Sequence, residues 1–203
     1  RAKVAGGHYG SDQVVNAVMT MSIQFADGGI ASIRLDGNGF LLAGVQNRQD
    51  AIATVDVTTE YQFVEQTLHM TMSVALLPPY NQFITLLGAR DAILFHADPH
   101  TWYFRAGTPT HPSGLSVAHF LDVHTYLMAG NEVLPPGPLP EHIRSRLGNL
   151  PVVRTSEMRN GDGFAFGGMI DLRSPRLEIF PGWAQFRATL GFDFALLHQV
   201  PAA

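Results

Sequence analysis

The sequence predicts a mainly β fold, an antiparallel meander that forms a sandwich or a barrel-like sheet and carries one short helix. The first observation behind this is a two-residue alternation of apolar and polar side chains, which places each kind on its own face of a strand. The second is a set of Gly, Asn, Asp and Pro clusters between the alternating segments, which is typical of tight turns. Residues 67–76 alternate most clearly, with Leu68, Met70, Met72, Val74 and Leu76 on one side and Thr67, His69, Thr71 and Ser73 on the other.

Composition bounds the class of protein. The 203 residues are 46% hydrophobic and 15% charged, so the chain has enough apolar surface to fold, and we expect one domain over residues 1–203. A net charge of −4 without any Lys/Arg run excludes nucleic acid as a partner. The absence of Cys excludes disulfides and zinc–thiolate sites. No segment approaches the roughly 18 consecutive apolar residues of a membrane helix, so we expect no transmembrane helix.

Short turns connect the predicted strands. Asp27-Gly28-Gly29 and Asp36-Gly37-Asn38-Gly39 are predicted as tight turns, because Gly, Asn and Asp tolerate positive φ. Pro78-Pro79 ends one strand, and Ala97-Asp98-Pro99-His100-Thr101 separates two others as a hairpin turn. The predicted strands are residues 17–25, 30–35, 40–45, 53–63, 67–76, 82–87, 92–96, 102–106, 163–173, 176–179 and 183–197.

The pattern changes between residues 107 and 150, where we expect a proline-rich crossover. Residues 118–128 fit either a helix or a strand. Residues 140–148 are predicted as the short helix, because Pro140 stands at the start, Glu141 lies in the first turn and Gly148 follows the last arginine.

One segment has the residue types of a metal site. His96, Asp98 and His100 lie across the tip of a predicted hairpin, where imidazole and carboxylate groups could converge on Zn, Fe or Cu. The ligand from outside the turn would be one of His111, His119 and His124. The alternative is that Asp98-Pro99 is an ordinary turn and each histidine is a polar residue at a strand end, since the spacing matches no motif with a known mechanism. No other cofactor is indicated.

Three other groups of residues give weaker indications of a functional site. Ser113 lies near His111, His119 and Asp122, but it lacks the glycine-flanked elbow of the hydrolases, so no catalytic residue is assigned. The residues 36–39 and 160–163 resemble fragments of calcium loops and lack the closing glutamate, which favours hairpin turns. The carboxylates of Asp56, Glu60 and Glu65 are interpreted as a solvated face.

Aromatic side chains suggest a contact surface. Trp102 and Tyr103 are adjacent and must face opposite sides of a strand. One of the two therefore leaves the core face and is the candidate for binding a partner. Phe186, Phe192 and Phe194 fall on the apolar period, so we expect them to be buried.

A resemblance to a group of proteins rests on four segments. These are Trp102-Tyr103 with Gly107-Thr108-Pro109, Tyr126-Leu127-Met128-Ala129-Gly130, Gly163-Phe164-Ala165-Phe166-Gly167 and Gly191-Phe192-Asp193. They resemble segments of large, uncharacterised β-rich bacterial proteins associated with the cell envelope, over about half of the chain. The resemblance implies a module of a longer polypeptide, which fits a chain that begins Arg-Ala-Lys rather than with Met.

Two functions of different classes remain open at this point. The first is a non-catalytic structural or binding module of a bacterial envelope or extracellular assembly. Its sheet edges and exposed aromatics would contact neighbouring protein or glycan, with homo-oligomers as one outcome. The second is a metal-dependent enzyme, a hydrolase or an oxygenase, built around His96, Asp98 and His100.

Overall fold

A computed structural model describes residues 2–8, 11–42, 48–88, 93–135, 145, 160–175, 177–179 and 182–198. Within these residues the fold is mainly β and antiparallel, as the sequence predicts, with no helix of seven or more residues. The short helix predicted for residues 140–148 lies outside the described residues except for Ser145. The strands are β1 Ala2–His8, β2 Ser11–Ala26, β3 Gly29–Leu41, β4 Ala53–Gln62, β5 Thr67–Leu76, β6 Ile84–Leu87, β7 Ile93–Ala97, β8 Trp102–Ala106, β9 Ser113–Val117, β10 Leu121–Val133, β11 Gly161–Arg173, β12 Leu177–Ile179, β13 Gly182–Ala184 and β14 Arg187–His198.

Twelve of these strands form one sheet, and β12 and β13 form a separate hairpin. The main path runs β1-β2-β3-β4-β5-β7-β8-β10-β11-β14, so each strand pairs with its neighbour in the path. β9 pairs with the first half of β10, and β8 pairs with the second half. On their other sides, β9 pairs with β6 and β8 pairs with β7. β6 with β7, and β8 with β9, therefore act as two interrupted strands. The described sheet is an up-and-down meander ten strands wide.

The register sorts the side chains onto two faces, with local shifts between Gly7 and His8, Gln24 and Phe25, and Gly130 and Val133. Directly opposed residues share a face, so the pairing can be followed across the sheet from Met21 through Leu35, Thr59, Met70, Phe95 and Phe104 to Ala129. We call this side the apolar face. The side that carries Arg34, Glu60, His69, His96 and Tyr103 we call the polar face.

The sheet has two ends along the strand direction. The Asp27 end carries the connections at residues 27–28, 63–66 and 98–101, which join β2 to β3, β4 to β5 and β7 to β8. The Tyr80 end carries those at residues 77–83 and 118–120, together with the described parts of the β3–β4 and β11–β14 connections. Exposed aromatic residues lie at both ends: Phe25, Phe63 and Trp102 at the first, and Tyr80, Phe83, Phe120 and Phe186 at the second.

Burial is greatest on the polar face. The central cluster of Tyr126, Met128, Val133 and Ala165 lies there, together with the buried polar residues Asn16, Ser32, Ser116 and Asp171. The sequence-based expectation that Phe186, Phe192 and Phe194 are buried is wrong, since Phe192 is 60% exposed and the other two are also exposed. The apolar period is real, but in this chain it marks the exposed side of the sheet.

Two local expectations also need correction. Residues 36–39 are not a turn, because β3 continues through them and pairs with both β2 and β4. Gly37 and Gly39 fit this strand since a Cβ at either position would meet neighbouring atoms only at 3.6–3.8 Å. Residues 113–133 hold β9 and β10, so the sheet continues through half of the predicted crossover. The ambiguous segment at 118–128 is a turn followed by a strand.

Gly130 is a position where only glycine fits. It has a φ of +131°, which L side chains rarely adopt, and a Cβ there would overlap the carbonyl oxygen of Trp102. The backbones of β8 and β10 therefore approach each other at this point more closely than a side chain allows.

We predict that Gly130→Ala lowers the free energy of unfolding by about 1–3 kcal/mol or more, because it adds both backbone strain and a clash. Chemical denaturation followed by far-ultraviolet circular dichroism measures this. Gly29→Ala is the matched control, since nothing lies within 4 Å of a Cβ there, and it should leave the midpoint nearly unchanged. Equal stability of the two variants would refute the argument.

Candidate functional site

The turn between β7 and β8 is organised around Asp98. Its Oδ1 accepts hydrogen bonds from the backbone N–H groups of His100 and Thr101, both at 2.7 Å. Its Oδ2 lies 3.1 Å from Nε2 of His96. The hydrogen bonds from the His100 amide, from His96 and from the Thr101 amide hold the pKa of Asp98 below its usual value. This is the local chemistry of an Asx turn, in which the carboxylate closes the hairpin.

One of the side-chain contacts that the metal hypothesis requires is present. His96 and Asp98 do meet. His100 contacts its neighbours through its main chain: its N–H donates to Asp98, and its carbonyl accepts a hydrogen bond from Nδ2 of Asn131 at 2.9 Å. Among the described residues, no group of three or more His, Asp or Glu side chains is arranged to hold a metal ion. Metal binding by His96, Asp98 and His100 stays a prediction.

The three histidines considered as outside ligands lie at separate places. His111 is in the interruption between β8 and β9, where its Nδ1 lies 3.1 Å from Oγ1 of Thr110. His119 is in the turn before β10 with a φ of +61°. His124 is on β10, opposite Gly114 and Met169. Within the part of the chain that the structure describes, none of the three joins His96 in a group of three or more possible metal ligands.

The clearest feature of the polar face is a row of side chains across five strands. Glu60, His69, His96 and Tyr103 are directly opposed in register, and Arg34 precedes them. The His96 ring stacks on Tyr103 with centroids 5.0 Å apart and lies 6.0 Å from the His69 ring. The Arg105 guanidinium lies 4.1 Å from the Tyr103 ring centroid. We name Arg34, Glu60, His69, His96 and Tyr103 the polar row. It offers titratable and cationic groups to water or to a polar ligand.

Trp102 and Tyr103 occupy opposite faces, as the sequence requires. Trp102 lies on the apolar face at the Asp27 end and is 49% exposed, whereas Tyr103 belongs to the polar row. Trp102 is thus the member of the pair that is free to contact a partner. Its main chain is fixed, because its N–H donates to Oδ1 of Asn131 at 2.9 Å.

The strongest electrostatic cluster was not foreseen from the sequence. Asp171 on β11 is 1% exposed, and it accepts hydrogen bonds from Arg173, Arg187 and Thr189. Arg173 also pairs with Asp122 at 3.0 Å. The hydrogen bonds from Arg187 hold the pKa of Asp171 far below its ordinary value against the opposing effect of burial, with Arg173 and Thr189 adding to the shift. The cluster ties together β10, β11 and β14.

A second cross-strand contact lies in the middle of the same three strands. Tyr126, Gly167 and Asp193 are in register, and the Tyr126 hydroxyl donates to Oδ1 of Asp193 at 2.9 Å. A Cβ at Gly167 would overlap both partners, so glycine lets the ring lie across the central strand. Burial raises the pKa of Tyr126, and the hydrogen bond to Asp193 raises it further. Both clusters join β11 to its neighbouring strands and so hold their register.

Comparison with known proteins gives no match: no family model, no curated protein and no solved structure is similar to the chain. In the part of the chain that the structure describes, no helix has the length and apolarity needed to cross a membrane. Function must therefore be argued from the surfaces of the sheet.

We predict that Asp171→Asn lowers the free energy of unfolding by about 2–3 kcal/mol, because the amide cannot accept the set of charged hydrogen bonds at a buried position. Asp162→Asn, on the same strand but exposed, is the control and should change it by less than about 0.5 kcal/mol. Urea denaturation at neutral pH measures both.

Acid provides a second readout of the same variant. The folded-state pKa of Asp171 is lowered, so its contribution is present above the unfolded value of about 3.9 and is lost as the pH falls towards the folded value. The difference in stability between the wild-type protein and Asp171→Asn should therefore be constant near pH 7 and shrink below about pH 4. A difference that grows in acid would contradict this account.

The metal hypothesis predicts a bound first-row metal after purification without a histidine tag, and its loss in the double variant His96→Ala with His100→Ala. Ligands bind deprotonated, so affinity should fall below about pH 6.5. Elemental analysis measures this, with His198→Ala on β14 as the control. Wild-type protein that carries no stoichiometric metal would end the hypothesis.

Proposed function

We propose that this chain is a non-catalytic structural module of a bacterial envelope or extracellular assembly, which joins neighbouring protein strands through the two edges of its sheet. The observation that carries this is the position of β1 and β14. Each lies at an end of the main path and pairs on one side only within the described residues.

The β14 edge is suited to strand addition. It is twelve residues long and contains no proline or lysine, which are devices that normally block an exposed edge. Its charged residues Arg187 and Asp193 are engaged on the polar face by Asp171 and Tyr126. The edge therefore offers a row of backbone N–H and C=O groups without a charged guard, and strand addition is the mode that uses such groups.

The directions of the two edge strands also favour a protein strand as the partner. In an antiparallel path of ten strands, the first and last run in opposite directions, so the free edge of one unit can accept the free edge of the next in antiparallel pairing. A glycan has no comparable row of alternating donors and acceptors, and we assign the partner as protein. The envelope location rests on the resemblance found in the sequence. No contact in the described residues beyond His96 to Asp98 favours the metal-dependent enzyme.

Association through the edges should be measured in detergent micelles, because detergent covers apolar side chains and leaves backbone edges as the route of assembly. We predict dimers or larger species whose mass rises with protein concentration in size-exclusion chromatography with light scattering. Neighbouring residues of a strand direct their N–H groups to opposite sides. Of Gly191→Pro and Phe192→Pro, one should therefore disrupt pairing with β11, and the other should stay folded and become monomeric.

Phe192→Ala keeps the N–H group and is the matched control, which should associate as the wild-type chain does. A wild-type chain that is monomeric at every concentration in detergent would overturn the proposal. The same conclusion would follow if both proline variants stayed folded and associated like the control.

A further inference from the structure

The apolar face lacks charge over almost its whole area. In the described strands from Asn16 onward, register places four hydroxyl-bearing side chains on it, those of Thr59, Tyr61, Ser113 and Thr125. The acidic and basic residues of these strands on this side are Asp162 and His198, which are opposed in register where β11 begins and β14 ends. The face is lined by Met19, Met21, Ile23, Leu35, Val57, Met70, Phe95, Phe104, Leu127, Phe166, Ile170, Leu190, Phe194 and Leu196.

This face is also the exposed one. Leu190 is 73% exposed and Leu196 60%, whereas Met128 and Ala165 on the polar face are fully buried. Ten strands at about 4.8 Å spacing and nine residues of height give an area on the order of 1,000 Å². Monomeric proteins in water rarely expose an apolar patch larger than a few hundred Å². Something of matching chemistry must cover the face.

The length of the apolar face along the strand direction matches the thickness of the hydrocarbon core of a bilayer. From Phe164 to Leu172 the apolar positions of β11 span eight residue steps, or roughly 27 Å at 3.4 Å per residue. Membrane-spanning strands need about 9–11 residues, and their apolar band is about 25 Å tall. The strands β2, β3, β4, β5, β10, β11 and β14 each have ten residues or more.

The borders and the opposite face agree with a lipid partner. Phe25, Phe63 and Trp102 lie at the Asp27 end, while Tyr80, Phe83 and Phe120 lie at the Tyr80 end; aromatic residues favour the two interfaces of a membrane. A second copy stacked on the apolar face would make a sandwich, in which the polar face is the wet, exposed side. Here the polar face contains the most buried residues, which favours lipid over a second sheet.

We propose that the apolar face lies against the acyl chains of a lipid bilayer, with Trp102 near one interface and Phe166 closer to the centre. Backbone groups within hydrocarbon must all be paired. The inner strands pair by their ladders, and in the interruption between β8 and β9 the main chains of Thr108 and His111 pair with each other. For β1 and β14 the inference rests on the strand pairing proposed above. The two are tested separately, because the detergent experiment reports on the edges and the following one reports on the face.

The test uses tryptophan as a position-specific reporter in the full chain. In a Trp183→Phe background, Trp102 is the only tryptophan and lies on the apolar face. The matched control adds Trp102→Phe and Tyr103→Trp, which moves the indole by one residue to the polar face. Both proteins are reconstituted in phosphatidylethanolamine–phosphatidylglycerol vesicles, with and without bromine on the acyl chains.

We expect brominated acyl chains to remove most of the emission at position 102 and little at position 103. Equal quenching at the two positions, or none at position 102, would overturn the proposal. An indole at position 102 that is shielded from both bromine and aqueous acrylamide, in a particle with the mass of a dimer, would show that a second copy covers the face. That result also overturns it.

A second pair of variants guards against local misfolding. Leu190→Arg places a charge on the apolar face, and Gln24→Arg places one on the polar face. We expect the first to lose flotation with vesicles and the second to float as the wild-type chain does, since an arginine in hydrocarbon is strongly disfavoured. Equal flotation of both variants would contradict a lipid-covered face, whatever the edges do.

Discussion

The constraint on which the structure depends is the continuity of strand register across the sheet. On the apolar face, register brings apolar side chains of neighbouring strands side by side, from Met21 and Leu35 on one side of the path to Phe166 and Phe194 on the other. A slip of one residue at any pair would turn a whole strand over and place its apolar side chains among the charged ones. Faces of this purity therefore require every ladder to hold its register at once.

Polar contacts between neighbouring strands help to hold each ladder in its register. The Asp171 cluster joins three strands through Arg173, Arg187 and Thr189, and a slipped pairing would leave its carboxylate buried without partners. Burying a charge is costly, so such a cluster does more to select one register than to add stability. Tyr126 and Asp193 act in the same way across Gly167, and the polar row extends the pattern to β3–β8.

The alternation of apolar and polar residues predicts most of the strands, but it does not show which face of the sheet meets solvent. Alternation at Phe192 and Phe194 identifies a face, and both a buried core and an exposed lipid-type band produce the same period. The glycines at 37 and 39 were misassigned to a turn because their turn propensity is a local signal, whereas pairing with β2 and β4 is a long-range one. Asp171 could not be found for the same reason, since Arg187 is sixteen residues away.

The two proposed surfaces constrain each other. An unpaired backbone group in hydrocarbon costs several kcal/mol. Within the described residues β1 and β14 each pair on one side only, so inserting this sheet alone into a bilayer would carry a large free-energy cost. In water, the apolar face would instead drive the sheets together before their edges align. Edge pairing and lipid contact are thus expected to develop together, with the aromatic residues at both ends fixing depth. The polar row then lies on the side away from lipid, and on that same side the buried carboxylate of Asp171 keeps its arginine partners instead of facing hydrocarbon.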